Sequence, residues 1–198
     1  MKGKFIALEG LDGSGQSTQA ELLKKWLESK KIKVILTKEP TNNLLGGIIK
    51  AVLRKELKLE QDALQLLFSA DRAHHLASEI IPALEKGFWV ITDRYMFSTL
   101  AFGSIEGLKM EWLNELNKNF LVPDATFFLD VKPETCIKRM ESRSSRDLFE
   151  QEEILRKVRQ QYLKVKELGY DKFYVLDGEK AVEQVHEQIT EKIKILMD

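Results

Sequence analysis

The stretch with the clearest chemical pattern is residues 10–18, GLDGSGQST. Gly10, Gly15 and Ser17 match the phosphate-binding pattern G-x-x-x-x-G-K-[ST]. Glycines at these positions let backbone N–H groups converge on phosphate oxygens, and the serine hydroxyl can bind Mg²⁺. The lysine of the pattern is replaced by Gln16, which keeps a hydrogen-bond donor but has no charge. The loop therefore predicts phosphate binding and leaves open where the positive charge comes from.

The same stretch also resembles the dinucleotide-binding pattern G-x-G-x-x-G, with Thr18 at the third glycine. Glu39 lies 24 residues after Gly15, roughly where such folds keep a ribose-binding acid. Thr18 argues against this interpretation, because the third glycine allows close packing of helix against strand. A dinucleotide-dependent oxidoreductase remains the alternative from a different class.

Two charged residues, Asp93 and Arg94, directly follow the apolar run FWVIT. Charges at the end of a buried strand are costly unless that edge faces a ligand. A carboxylate there can hold Mg²⁺ or its water, and the arginine then lies at the phosphate end of a cleft. Ser98 and Phe102 follow on the next predicted helix.

The segment LLFSADRAHH, residues 66–75, belongs to a long predicted helix. Phe68, Arg72 and His75 share one face, where an aromatic ring and a guanidinium could stack on and hydrogen-bond a planar base. A partly buried Phe beside a solvated Arg is the alternative. A separate apolar stripe is expected to face the core, with a kink at Pro82. It comprises Leu66, Ala70, Ala73, Ala77, Ile80 and Leu84.

The segment ESRSSRD, residues 141–147, is polar and has no periodicity. Arg143 and Arg146 lie in it, and Arg139 lies just before it. Arginines on a loop suit a lid that closes over transferring phosphates, whereas a solvated charged loop is the alternative.

Five apolar runs predict the strands that position these residues. They are continuous rather than alternating, which is typical of buried parallel strands, and helical patterns separate them. The runs are residues 4–9, 33–37, 88–93, 125–131 and 172–177. Alternating strands and helices predict a three-layer α/β fold with a mostly parallel sheet.

The composition limits the partners. The chain has 198 residues, 43% apolar, with 31 basic and 31 acidic residues, so no overall field favours nucleic acid or an anionic membrane. Cys136 is the only cysteine, which excludes an intrachain disulfide and a cysteine-cluster metal site. No apolar stretch approaches the length of a signal peptide or membrane span, so a cytoplasmic location is expected.

Taken together and in order, these motifs resemble the thymidylate kinases of the nucleoside monophosphate kinase group. The matching segments are LEGLDGSGQSTQ, KEPT, LLFSADRAHH, DRYMFSTLAFG, PDATFFLDV, RSSRDLFE and VLDGEK. The resemblance implies one domain, residues 1–198, with the P-loop kinase fold. That fold is a five-stranded parallel sheet flanked by helices, with a short lid at about residues 141–148.

The resemblance also implies transfer of a phosphoryl group from ATP to dTMP with Mg²⁺, in a homodimer. Mg²⁺ would be held by Ser17 and Asp93, and Asp12, Asp93, Arg94, Arg143 and Arg146 would be catalytic. Residues expected to bind dTMP are Asp12, Glu39, Phe68, Arg72, Arg94, Ser98 and Phe102. In this scheme Phe68 stacks on thymine, Arg72 bonds its carbonyl oxygen, and Glu39 lies near the phosphates and metal. Residues expected to bind ATP are Gly10, Leu11, Asp12, Gly13, Ser14, Gly15, Gln16, Ser17, Thr18, Gly178 and Glu179.

Three positions depart from the family pattern: Lys38 where many members have arginine, Phe102 where a tyrosine is more usual, and Gln16. Lid arginines could supply the charge lost at Gln16. Alternatively, the chain is a nucleotide sensor with weak turnover, or the glutamine was introduced to trap a substrate complex. A kinase for dCMP or UMP is the alternative within the same class.

Overall fold

The computed structural model describes residues 3–140 and 148–197, with side chains of the second segment from residue 152 onward. Its centre is one sheet of five parallel strands in the order β2-β3-β1-β4-β5. The strands are β1 Phe5–Gly10, β2 Val34–Lys38, β3 Trp89–Asp93, β4 Ala125–Asp130 and β5 Phe173–Asp177. Each predicted apolar run forms one strand, so the α/β fold with a five-stranded parallel sheet is confirmed.

Helices connect the strands and cover both faces of the sheet. Those before β4 are α1 Gln16–Ser29, α2 Leu44–Leu53, α3 Gln61–His75, α4 Ile81–Glu85, α5 Met96–Ile105 and α6 Met110–Asn117. Those after it are α7 Pro133–Met140, α8 Leu148–Val165 and α9 Val182–Met197. None of the helices in the described ranges is long and apolar enough to cross a membrane.

The three layers follow from the alternation of side chains along the central strand. Phe5 and Ala7 of β1 point into the apolar cluster formed with α5 and α8. Ile6 and Leu8 point into the opposite cluster, formed with α1 and α9. Both faces of β1 are therefore buried, which explains its continuous apolar sequence.

The apolar stripe predicted on the long helix is wrong for α3. Leu66 is 50% exposed, and Ala70, Ala73 and Ala77 are also exposed. The buried face carries mainly polar residues: Leu64, Gln65, Ser69, Asp71, Arg72 and His75. A π turn, Leu76–Ile80, follows α3 and ends the regular α-helical bonding before Pro82. A π turn contains one more residue than an α-helical turn, so residues after it face a different direction from those before it. Ile80 is therefore buried although Ala77 is not.

The chemically interesting strand ends lie at one edge of the sheet. Because β1 and β2 both pair in parallel with β3, the carboxyl ends of the three strands at Gly10, Lys38 and Asp93 meet there. Ligands of open α/β sheets bind outside this edge, where the strand order reverses. From β1 the chain continues to β2 and β3 on one side of the sheet and then to β4 and β5 on the other side. The strand order therefore reverses at β1, and the expected ligand site lies at the carboxyl end of β1.

Candidate active site

Residues 10–15 link β1 to α1 in a tight turn whose shape depends on glycine. Gly13 and Gly15 have φ angles of 83° and 93°, a region that residues with side chains rarely adopt. A Cβ atom on Gly10 would lie 2.3 Å from Oγ of Ser14. The strand, loop and helix expected around the phosphate-binding pattern are all present, and α1 begins at Gln16. The loop therefore directs the N-terminus of a helix toward any bound anion.

The side chain of Gln16 is folded into this loop rather than extended into solvent. The residue is 6% exposed, and a Cβ atom on Gly10 would lie 2.9 Å from its Oε1. That oxygen has no hydrogen-bond partner among the described residues. The amide therefore keeps its bonding capacity for a ligand, but it supplies no charge.

Ser17 and Asp93 meet as the sequence predicted. Oγ of Ser17 donates a hydrogen bond to Oδ2 of Asp93 at 2.5 Å. The other carboxylate oxygen, Oδ1, is buried and has no partner within the described ranges. A hydroxyl beside a carboxylate with a free oxygen suits Mg²⁺, which prefers oxygen ligands. No group of three or more His, Cys, Asp or Glu that could hold a metal ion occurs in residues 3–140 and 148–197, so phosphate oxygens and water would complete the coordination.

Arg94 follows β3 in a backbone conformation that is unusual for a residue with a side chain. Its φ angle is 70°, and its N–H donates to the carbonyl oxygen of Leu8 at 2.9 Å. Its guanidinium donates to Oδ1 of Asp12 at 2.7 Å and to the carbonyl oxygen of Gly10 at 2.8 Å. It also lies over the ring of Phe102. The strained turn thus places one fixed positive charge at the mouth of the phosphate loop.

A buried carboxylate, Glu9, supports Arg94 from below. It accepts hydrogen bonds from Oγ of Ser98 at 2.5 Å, from Tyr162 at 2.9 Å and from the N–H of Tyr95 at 3.0 Å. Burial raises the pKa of Glu9 from 4.5 to about 7, although these hydrogen bonds and Arg94 lower it. Tyr162 belongs to α8, so this cluster ties the helix that follows the predicted lid to the site.

A cavity of about 370 Å³ lies between α3 and α5. Phe68, Arg72, Ser98 and Phe102, all predicted to bind dTMP, line it together. Two rings and a guanidinium around a cavity of this size suit a planar, hydrogen-bonding ligand such as a nucleobase.

Arg72 lies at the inner end of this cavity, and each nitrogen of its guanidinium donates a hydrogen bond to another side chain of the protein. Its Nε donates to Glu39 at 2.9 Å and its Nη2 to Thr99 at 3.1 Å, while Nη1 bonds Oδ1 of Asn117. The other oxygen of Glu39 lies 3.2 Å from Nδ1 of His75. Both carboxylate oxygens of Glu39 are therefore engaged by Arg72 and His75. Glu39 also borders the cavity over the phosphate loop, so its predicted place near the phosphates and metal stays a prediction, and its side chain in addition holds Arg72.

A second cavity, of about 660 Å³, lies over the phosphate loop. It contains Gln16, Ser17 and Asp93. The residues that border both this cavity and the base cavity are Asp12, Glu39, Pro40 and Arg94. The two cavities therefore meet beside the Asp12–Arg94 ion pair.

The end of α7 adds a cation that the prediction did not select. Nη1 of Arg139 donates to the carbonyl oxygen of Ser14 at 3.1 Å, and Nη2 donates to that of Gly178 at 3.4 Å. Glu179 accepts hydrogen bonds from the N–H of Lys132 and from Thr135, so it secures the start of α7. The predicted ATP residue Gly178 is thus joined to the phosphate loop through Arg139, and Glu179 holds the start of the helix that carries Arg139.

The predicted lid arginines, Arg143 and Arg146, lie outside the described residues. Of the predicted lid at residues 141–148, only Leu148 lies within the described part of the chain, where it begins α8.

Comparison with known proteins decides the family to which this site belongs. A family model described as thymidylate kinase matches residues 8–189. The chain belongs to the thymidylate kinase family. Thymidylate kinases transfer a phosphoryl group from ATP to dTMP and use Mg²⁺. This membership does not favour a sensor, a kinase for another monophosphate or an oxidoreductase.

Curated members of the thymidylate kinase family match along nearly the whole chain. A protein described as probable thymidylate kinase from Pyrococcus abyssi is 40% identical, covering 98% of this chain and 97% of its own length. One from Thermococcus kodakarensis is 41% identical, covering 98% of each chain. One from Methanosarcina barkeri is 41% identical, covering 98% of this chain and 97% of its own.

Three residues of this thymidylate kinase site, Glu9, Asn117 and Tyr162, were not predicted from the sequence, and Arg139 was named beside the lid without its contacts. Glu9 follows the apolar run of β1 just as Asp93 follows that of β3, so the same argument about charges after buried strands could have found it. Tyr162 interrupts an apolar helical stripe, which is a weaker signal. Asn117 and the orientation of Arg139 carry no pattern, since each depends on packing between distant segments.

Proposed function

We propose that this chain transfers the γ-phosphoryl group of ATP to dTMP, giving dTDP and ADP. The observation that carries the proposal is the meeting of the two cavities at Asp12, Glu39, Pro40 and Arg94. One cavity has the glycine loop of a phosphate site, and the other has the aromatic and polar walls of a base site. A nucleotide in each would bring its phosphates to the shared border.

In the proposed reaction, a phosphate oxygen of dTMP attacks the γ-phosphorus in line, and the bond to the β-phosphate oxygen of ADP breaks. Phosphoryl transfer asks a protein mainly for positioning and charge neutralisation. Backbone N–H groups of residues 13–17 would hold the β-phosphate, and Arg94 would neutralise charge where the two phosphates meet. Ser17 and Asp93 would hold Mg²⁺, which would neutralise negative charge on the phosphates.

The charge missing at Gln16 comes, in this proposal, from arginines at and after the end of α7. Arg139 supports this role because its guanidinium contacts the carbonyl oxygen of Ser14 and borders the phosphate cavity. Arg143 and Arg146 follow within seven residues, and we keep the prediction that residues 141–148 close over the phosphates as a lid.

A coupled or radiometric assay with dTMP, dUMP, dCMP and AMP as acceptors tests the reaction. We expect dTMP to have the highest kcat/KM and transfer to require Mg²⁺. Binding of dTMP without transfer at high enzyme concentration would replace this proposal with a nucleotide-binding role.

We further propose a homodimer that forms through the exposed apolar face of α3. Leu66, Ala70 and Ala73 share that face, which continues at Ala77 in the π turn, and exposed apolar patches mark protein contacts. Light scattering of Leu66→Glu should give a monomer, whereas Ile195→Glu, at an exposed apolar residue of α9, should remain dimeric. A monomeric parent protein at micromolar concentration would refute the dimer. The proposed location is the cytoplasm, where the single buried Cys136 would stay reduced.

A further inference from the structure

The base cavity contains a buried amide that has no role in the site described so far. Gln65 lies on α3 one turn before Phe68, and both residues line the cavity together with Arg72. It is 3% exposed, and its Oε1 has no hydrogen-bond partner among the described residues. Burying a polar atom without a partner is unfavourable, so such an atom in a cavity wall indicates a ligand that would pair with it.

The position of Gln65 is set by a close contact with α5. A Cβ atom on Gly103 would lie 3.3 Å from Cδ of Gln65 and 2.9 Å from the methyl carbons of Leu113. A side chain at residue 103 would therefore crowd both neighbours. Gly103 thus lets the amide lie against α5 at the cavity wall.

The other deep polar groups of this cavity already have partners within the protein. Arg72 bonds Glu39, Asn117 and Thr99. The hydroxyl of Ser98 bonds Glu9 and Tyr162. Gln65 is therefore the deep side chain here whose hydrogen-bonding capacity is left for a ligand.

We propose that Gln65 reads the Watson–Crick edge of the thymine base and acts as a specificity-determining residue for the acceptor. A carboxamide presents one acceptor and two donor hydrogens side by side. Thymine presents an N–H donor at N3 between two carbonyl oxygens, so the amide accepts from N3–H and donates to an adjacent carbonyl. The edge is symmetric in this respect, which allows either carbonyl to complete the pair. Cytosine has an acceptor at N3 and cannot pair with the amide in that orientation.

This inference rests on the proposed dTMP site, and a substrate analogue separates the two. In 5-methyl-dCMP, N3 carries no hydrogen and an amino group replaces the 4-carbonyl oxygen, so the donor at N3 becomes an acceptor with little change of shape. The wild-type enzyme should prefer dTMP to this analogue by about 10- to 100-fold in kcat/KM, the range expected when a buried partner is left unpaired. In Gln65→Met, which keeps the volume and removes the amide, that preference should fall to less than threefold.

Gln19→Met is the matched control. Gln19 is also 3% exposed with an unpartnered Oε1, but it lies on α1, and its Nε2 donates to the carbonyl oxygen of Val182. This variant should keep the full preference for dTMP over the analogue, whatever its effect on the melting temperature.

If Gln65→Met keeps the same preference as the wild type, the inference is wrong while the dTMP kinase activity stands. If the wild type itself treats dTMP and the analogue alike, the amide does not bond N3 and the inference is likewise wrong. Failure of the wild type to phosphorylate dTMP at all would instead overturn the proposed function.

Discussion

Replacing Glu9 by glutamine should change how the stability of the protein depends on pH. The Glu9 carboxyl is fully buried, and burial raises its pKa from 4.5 to about 7 despite the hydrogen bonds and the nearby Arg94 that favour its ionised form. Glutamine has the same shape as the protonated acid and cannot ionise. The variant Glu9→Gln therefore removes one proton equilibrium while it largely keeps the packing.

Whether the free energy of unfolding rises or falls with pH depends on the number of protons bound in the folded and unfolded states. Between about pH 4.5 and pH 7 the folded protein keeps a proton on Glu9 that the unfolded chain has released, so the free energy of unfolding falls as pH rises. The stabilising contribution is fully present below about pH 4.5 and is lost as the pH passes about 7. A pKa difference of about 2.5, at about 1.4 kcal/mol for each pKa unit, gives a total loss of about 3.5 kcal/mol, of which about 3 kcal/mol falls above pH 4.5.

Urea unfolding at intervals from about pH 4.5 to pH 8.5 measures this loss for the wild type and the variant. The difference in unfolding free energy between them should shift by about 3 kcal/mol across the range, in favour of Glu9→Gln at high pH. Glu191→Gln, at an exposed glutamate of α9, should run parallel to the wild type throughout. Parallel curves for the wild type and Glu9→Gln would refute the assignment of a near-neutral pKa to this carboxyl.

Three further outcomes follow from the site and the proposed dimer. Arg139→Gln should lower kcat roughly 100-fold, and adding Gln16→Lys should restore most of that loss. Steady-state kinetics of both single variants and of the double variant tests this. A roughly 100-fold gain in kcat from Gln16→Lys alone would mean that no arginine replaces the lysine. Asp93→Asn should raise at least tenfold the Mg²⁺ concentration that gives the half-maximal rate, as measured by Mg²⁺ titration at saturating nucleotides. An unchanged half-maximal Mg²⁺ concentration would exclude this carboxylate as a metal ligand. Leu66→Glu should lower kcat/KM for dTMP only slightly at concentrations where the variant is monomeric. Kinetics and light scattering on one sample check this. A folded monomer without activity would mean that the subunit contact completes the site.

The sequence predicted the elements and contacts that depend on local pattern. Continuous apolar runs predicted all five strands, because the central strands β1, β3 and β4 are buried on both faces and the half-buried edge strands β2 and β5 are also mainly apolar. The pairing of Ser17 with Asp93 followed from topology, since a loop after β1 and a residue ending β3 must meet when those strands are parallel neighbours.

The failures have an equally physical cause. The stripe at Leu66 was expected to face the core because apolar residues usually do, but the inner face of α3 instead borders the base cavity and carries buried polar side chains that bond within the protein. The partners of Arg72 could not be predicted, because Glu39 and Asn117 come from segments 33 and 45 residues away. The roles of the lid arginines remain predictions, since they fall outside the described residues.

The two-sided character of α3 has a consequence for communication between subunits. One face of this helix carries Gln65, Phe68 and Arg72 toward the base, and the opposite face carries the stripe proposed to meet a second copy. In such a dimer the two base cavities would be separated by little more than two helix diameters, roughly 20 Å. A shift of α3 on dTMP binding would displace α3 of the second subunit, and binding of dTMP would then show a Hill coefficient different from one.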